Sequence, residues 1–240
     1  MIDAVLSNGP LVGSQAQVVV MPRYPDLNKK TAVIYLHGGN GQPHQCLVQQ
    51  AITKICSERG IALFSILSNG ANNWGIPAAV TDTHTAVTAV RALGYRNVYL
   101  YGISMGSFLA LRYLQVNPLA VEGTILHLPA NDMEFLGNPA LSALTATDMV
   151  AAWGGQAAFD AAIQSSDPKR YINFYKGLRM QIWSATNDDV FGTAPLFMNT
   201  VRTFAANVAK PIHYTGAVNH LDSNLRADEI LPFLDGTLNS

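Results

Sequence analysis

Ser104 sits between Gly102 and Gly106 in the stretch YLYGISMGSFLALRYL, Tyr99 to Leu114. A β-rich run there passes directly into helix-like sequence. A strand that turns at once into a helix needs a tight bend. Glycines on both sides of the bend keep backbone and side chains out of the way. The central residue is then pushed up at the helix N-terminus with its hydroxyl exposed. The Met105 N–H points toward the same space, and the positive end of the helix dipole favours an anion there. This is an arrangement for a nucleophilic serine.

A serine hydroxyl is a poor nucleophile near neutral pH and needs a base. Of six histidines, His220 follows the last β-rich run, in TGAVNHLDSN, at the rim where Ser104 should emerge. His37 precedes GGNG and reads as shaping that turn. His44 falls in a loop or at a helix start, and His84 shares a helical stripe with Val80 and Val87. His127 and His213 lie inside strand-like runs. The base in turn needs an acid to hold its tautomer. QIWSATNDDVFG offers Asp188, which we prefer because Val190 would anchor its loop, with Asp189 as the alternative. Asp222 reads as a helix cap or a surface charge.

Acyl transfer builds negative charge on a carbonyl oxygen, which requires fixed donors. The turn LHGGNGQP supplies small residues whose N–H groups can come close to a substrate. Gly39 is assigned as one donor and Met105 as the other, with Asn40 the runner-up for the first. A phosphate site fits less well, because neither a Walker lysine nor GxGxxG is present.

These residues need elements to position them. β-rich runs recur along the chain as QAQVVVMP, TAVIYLHGG, IALFSILSNG, NVYLYG, VEGTILHL, RMQIWSAT and KPIHYTG. Helical patterns lie between them: about Gln45 to Gly60, AAVTDTHTAVTAVRALG up to Gly94, MGSFLALRYLQ, about Ala194 to Asn207, and about Asn224 to Phe233. Strands apolar on both faces that alternate with helices predict a mainly parallel sheet covered on both sides. Ligands gather at the carboxyl ends of such strands.

The rhythm breaks between Asp132 and Gly177, a segment too long for a simple connection. It reads as a small helical insertion over the strand ends. Both strands that flank it are expected beside the one leading to Ser104. Trp153, Phe159, Tyr171, Phe174 and Tyr175 would then line the pocket. Should the insertion be plain core, specificity falls to the loops around Asn69 to Trp74 and Phe191 to Pro195.

The 240 residues suit one domain, with 49% hydrophobic and 13% charged residues, which excludes disorder. A net charge of -1 without charge blocks favours neither nucleic acid nor an anionic membrane as partner. No apolar run is long enough to span a bilayer. MIDAVLSNGP does not read as a secretory signal, and Cys46 and Cys56 read as free thiols, so a cytoplasmic location is expected.

Taken together, LHGGNG, GISMG, SATNDD and NHLD, each behind a strand, resemble the α/β-hydrolase superfamily, as does the order Ser, Asp, His. The resemblance covers nearly the whole chain. It implies a three-layer α/β fold with a mostly parallel sheet of about eight strands. It further implies a Ser104–Asp188–His220 triad, no cofactor or metal, and a cap at residues 132–177 within a single domain 1–240. The sequence departs from many relatives in its acid loop, which lacks their glycine, and its insertion matches no familiar cap. The expected activity is hydrolysis of a small-molecule carboxylic ester. Peptidase, thioesterase or carbon–carbon hydrolase chemistry is the alternative on the same triad. A non-catalytic binding protein on this scaffold is the third reading.

Overall fold

The computed structural model describes residues 3–7, 17–21, 31–48, 50–140, 143–184, 211–213 and 225–235. Eight described strands form one sheet: β1 (Asp3–Ser7), β2 (Gln17–Met21), β3 (Thr31–Leu36), β4 (Ala62–Ile66), β5 (Asn97–Ile103), β6 (Gly123–His127), β7 (Met180–Ser184) and β8 (Pro211–His213). Their order is β1-β2-β4-β3-β5-β6-β7-β8. β1 pairs with β2, and β2 with β4, in antiparallel fashion; the pairs from β4 through β8 are parallel.

The parallel core follows from composition. Every residue of β3, TAVIYL, is buried, so the strand packs on both faces. Ala32, Ile34 and Leu36 join one apolar cluster with Leu100, Leu126 and Ile182. Helices α3 (Pro77–Ala92) and α4 (Met105–Val116) cover that face. The alternate residues Val33 and Tyr35 join Tyr101, Ile125 and Trp183 on the other face. There α1 (Gln45–Val48), α2 (Gln50–Glu58) and α9 (Ala227–Leu234) close the third layer. Burying each such side chain is worth roughly 1.5–3 kcal/mol. The buried free thiols Cys46 and Cys56 belong to this second face.

The sequence of α3 marks its own limits. Pro77 opens it, where no N–H is needed. Gly94, at φ 95°, takes the left-handed conformation just beyond its end.

Between β6 and β7 lie α5 (Met133–Leu136), α6 (Ala143–Ala152), α7 (Gln156–Ser166), a 3-10 turn (Pro168–Tyr171) and α8 (Ile172–Tyr175). The segment is helical, as its pattern indicates. Of its flanking strands, β6 lies beside β5, but β7 lies one strand further out, which corrects the expected adjacency of both. No described helix is long and apolar enough to cross a membrane.

Candidate active site

β5 ends at Ile103 and α4 begins at Met105, which leaves Ser104 alone to make the turn. Its backbone sits at φ 52°, ψ −119°, a conformation that costs a non-glycine residue about 1–3 kcal/mol. The surroundings enforce it. Ser104 N–H donates to the His127 carbonyl at 2.9 Å. Ser107 Oγ donates to the carbonyls of Gly102, at 2.7 Å, and His127, at 3.1 Å. These bonds tie the first turn of α4 to the ends of β5 and β6. A side chain on Gly102 would collide with the Gly106 backbone, and one on Gly106 with the Leu36 carbonyl. The two glycines are therefore steric requirements of the turn. The Met105 N–H lies in the first helical turn, where no helical carbonyl can reach it.

The loop after β3 passes beside this serine. A Cβ built on Gly38 would stand 3.5 Å from Ser104 Cβ and 3.9 Å from its Oγ. Gly41 N–H donates to the Gly38 carbonyl at 3.1 Å and closes a turn over Gly39 and Asn40. Asn40 has φ 55°, which Asn tolerates better than most residues. Buried His37 braces the loop: Nδ1 lies 2.8 Å from the Gly38 carbonyl oxygen and Nε2 3.0 Å from that of Leu67. Asn40 N–H donates to Asn72 Oδ1 at 2.6 Å. Among the described residues the Gly39 N–H takes no partner.

Backbone strain concentrates on this rim. The described non-glycine residues with positive φ are Asn40, Ser68, Asn69, Trp74, Ser104 and Leu128. All six fall in segments leaving the carboxyl ends of β3, β4, β5 and β6. Strain held in this way is characteristic of functional rims.

Asp188, Asp189 and His220 lie outside the described residues. The strands that lead to them are described: β7 reaches Ser184 and β8 reaches His213, both parallel to the β5–β6 pair.

The five aromatic residues of the insertion separate into groups. Trp153 and Phe159 pack in one cluster with Met105, Phe108 and Trp74, next to the serine. Trp153 Nε1 donates to the Trp74 carbonyl at 3.1 Å, and its ring stacks on Arg112 at 5.8 Å. Tyr175 is fully buried in the sheet core, with its hydroxyl donating to the Leu111 carbonyl at 3.0 Å. Tyr171 packs on that same core and bonds the Ser165 carbonyl at 2.8 Å. Phe174 is exposed and sits edge-on to Tyr175.

The two stems of the insertion are tied together. Asp132 caps α5 through the Phe135 N–H at 3.0 Å, and its other oxygen meets Lys169 Nζ at 3.1 Å. Asp167 accepts the Lys169 N–H at 3.1 Å. Burial first, and then the nearby Asp132, push the Asp167 carboxyl up to about 6. Glu134 pairs with both Lys169 and Arg170 at the surface, which holds its carboxyl below the ordinary range.

Two polar residues of the site were not anticipated from the sequence. Asn72 bonds the loop after β3. Asn131, just past β6, is completely buried, and among the described residues neither of its amide atoms is paired. Asparagine between a strand and a helix usually signals a turn, so neither carried a distinguishing mark. Among the described residues no three His, Cys, Asp or Glu side chains gather to hold a metal ion.

No protein-family model matches the sequence, and no curated protein matches it. Solved structures do. Esterase B from Lactobacillus rhamnosis is similar at TM-score 0.70 and 15% identity, over 98% of this chain and 87% of that one. The fluorophosphonate-binding serine hydrolase F of Staphylococcus aureus is similar at TM-score 0.66 and 11% identity, over 100% and 99%. Est1E from Butyrivibrio proteoclasticus is similar at TM-score 0.65 and 15% identity, over 98% and 97%. The chain has the α/β-hydrolase fold.

Proposed function

We propose that this protein is a serine hydrolase that cleaves a carboxylic ester through an acyl-enzyme intermediate. The observation that carries the reading is the backbone of Ser104. Strain at φ 52° is held there by two glycines with no room for a side chain and by bonds to the end of β6. A merely structural serine would not require it. Esterase B among the similar structures supports the same bond type.

In this reading Ser104 Oγ attacks the acyl carbon while His220 takes its proton. The resulting oxyanion is held by the N–H groups of Met105 and Gly39. Gly39 is favoured over Asn40 because the Asn40 N–H is already given to Asn72. Collapse expels the alcohol, which receives the proton from His220. Water then attacks the acyl-enzyme with His220 again as base; collapse breaks the acyl–Oγ bond, His220 returns the proton to Ser104 Oγ, and the acid leaves. Asp188 orients the imidazole. The roles of Asp188 and His220 rest on chain order and on the strands that precede them.

Residues 132–177 act as a cap within the single domain. Packing of Trp153 and Phe159 with Met105 supports this reading. Of the aromatic residues, Trp153 is the one we assign to the pocket wall.

Purified protein should be tested on parallel short-chain ester, thioester and aminoacyl substrates. Ester turnover that vanishes in a folded Ser104→Ala variant is expected, with losses on the order of a millionfold. Preference for a thioester or amide would reassign the bond. An active Ser104→Ala protein would remove the mechanism.

A further inference from the structure

We propose that Asn72 is a positioning residue that holds the oxyanion loop and links it to the helical insertion; this rests on the reading in which the Gly39 N–H meets the oxyanion. Asn72 lies in the loop between β4 and α3, 32 residues from Asn40 in sequence. Its amide pairs twice with that residue. Oδ1 accepts the Asn40 N–H at 2.6 Å, and Nδ2 donates to Asn40 Oδ1 at 2.8 Å. Turning the Asn72 amide over would set donor against donor, so the two bonds define its orientation.

The pair acts where the loop most needs help. Asn40 carries a positive φ, and Gly39 before it is exposed and has no side chain with which to anchor itself. The nearest atom to a Cβ built on Gly39 is Asn72 Oδ1, at 3.7 Å. Fixing the Asn40 N–H and carboxamide oxygen therefore fixes the Gly39–Asn40 peptide, the one that follows directly on the peptide carrying the Gly39 N–H. A third contact leads outward: Asn72 Nδ2 lies 3.4 Å from Asp148 Oδ2 on α6. One side chain thus joins the loop beside Ser104, the loop after β4 and the insertion. Seating of the insertion and aim of the oxyanion donor are coupled through it.

Two measurements on the full chain test this. In the first, Asn72→Ala should lower kcat on a short-chain chromogenic ester by about 10–100-fold with KM within about twofold, since a misaimed donor weakens only the transition state. The double variant Asn72→Asp with Asp148→Asn should recover most of the loss. The carboxylate introduced by Asn72→Asp can accept the Asn40 N–H, and the carboxamides of Asn40 and of residue 148 can turn to donate to it. In the second, hydrogen exchange of residues 37–42 should quicken in Asn72→Ala and slow again in the double variant. Unchanged exchange overturns the clamp by itself, whatever the substrate. Faster exchange with unchanged kcat overturns the positioning role, as does a rise in KM alone. Absence of both ester turnover and Ser104 labelling in the unaltered protein is instead a failure of the esterase reading, and exchange still decides the clamp.

Discussion

The Leu36 carbonyl at the end of β3 lies so close to Gly106 that a methyl group on Gly106 would overlap it. The serine turn is thereby wedged between β3 and β6, and its position depends on a missing side chain. Gly106→Ala must push the start of α4 away from the sheet. Overpacking of this kind costs about 1–3 kcal/mol. We expect that loss in urea denaturation, together with at least a tenfold fall in turnover. Unaltered stability and activity would show that the contact is not tight.

The acid assignment predicts a ranking. Asp188→Asn should lower kcat by as much as about 10⁴-fold, because the imidazole loses its orienting partner while the nucleophile and oxyanion donors remain. Asp189→Asn should cost far less. A reversed order transfers the role to Asp189. In either case the rate should fall as pH drops through the imidazole range near 6.5, because only neutral imidazole is a base.

Trp153 and Tyr175 should behave differently. Trp153 packs beside Met105, whereas Tyr175 fills the sheet core beneath α4. Trp153→Ala should shift acyl chain-length preference with a modest change in stability. Tyr175→Ala should destabilise by about 3–5 kcal/mol, in the range for a large buried ring, and leave that preference unaltered. Kinetics on an ester series and denaturation of both variants check the contrast. Equal chain-length profiles for Trp153→Ala and the unaltered protein would remove Trp153 from the pocket.

Asp167 sets a pH-dependent stability. Its folded value of about 6 exceeds the unfolded value, so the folded state favours the protonated form. Stability from this group is fully present below the unfolded pKa near 3.9 and is lost as pH rises through about 6. Asp167→Asn keeps an acceptor for the Lys169 N–H and removes the charge. Relative to the unaltered protein, the variant should be more stable at pH 7 than at pH 4, by on the order of 1–3 kcal/mol. The Lys169 ammonium and the Asp132 and Glu134 carboxyls face the same cluster and are common to both proteins. A stability difference that does not vary with pH would contradict burial of the Asp167 carboxyl as the cause.

The central sheet was legible because its strands are apolar on both faces; TAVIYL leaves no face for water. The serine turn was legible because Gly102 and Gly106 are demanded by backbone contacts, and such demands act on residue type. β1 was not anticipated: DAVLS mixes polarity, and the strand is defined by its antiparallel pairing with β2. The helical pattern expected from about Gln45 to Gly60 is met by α1 and α2, and residue 49 between them lies outside the described residues. Aromatic content marked the insertion, but ring spacing does not tell which rings meet Met105 and which enter the sheet core. The Asn72–Asn40 pair joins residues 32 apart, and no local pattern encodes it. The acid and the base fall outside the described residues, so for them chain order remains the basis.

The central claim is that Ser104 is the nucleophile, and covalent labelling addresses it most directly. The full chain should be treated with a fluorophosphonate and digested, and the modified peptide sequenced by mass spectrometry. One adduct is expected, on Ser104; it should form in competition with ester turnover and be absent from Ser104→Ala. An adduct on another residue with Ser104 unmodified, or ester turnover that survives complete labelling of Ser104, would contradict the claim.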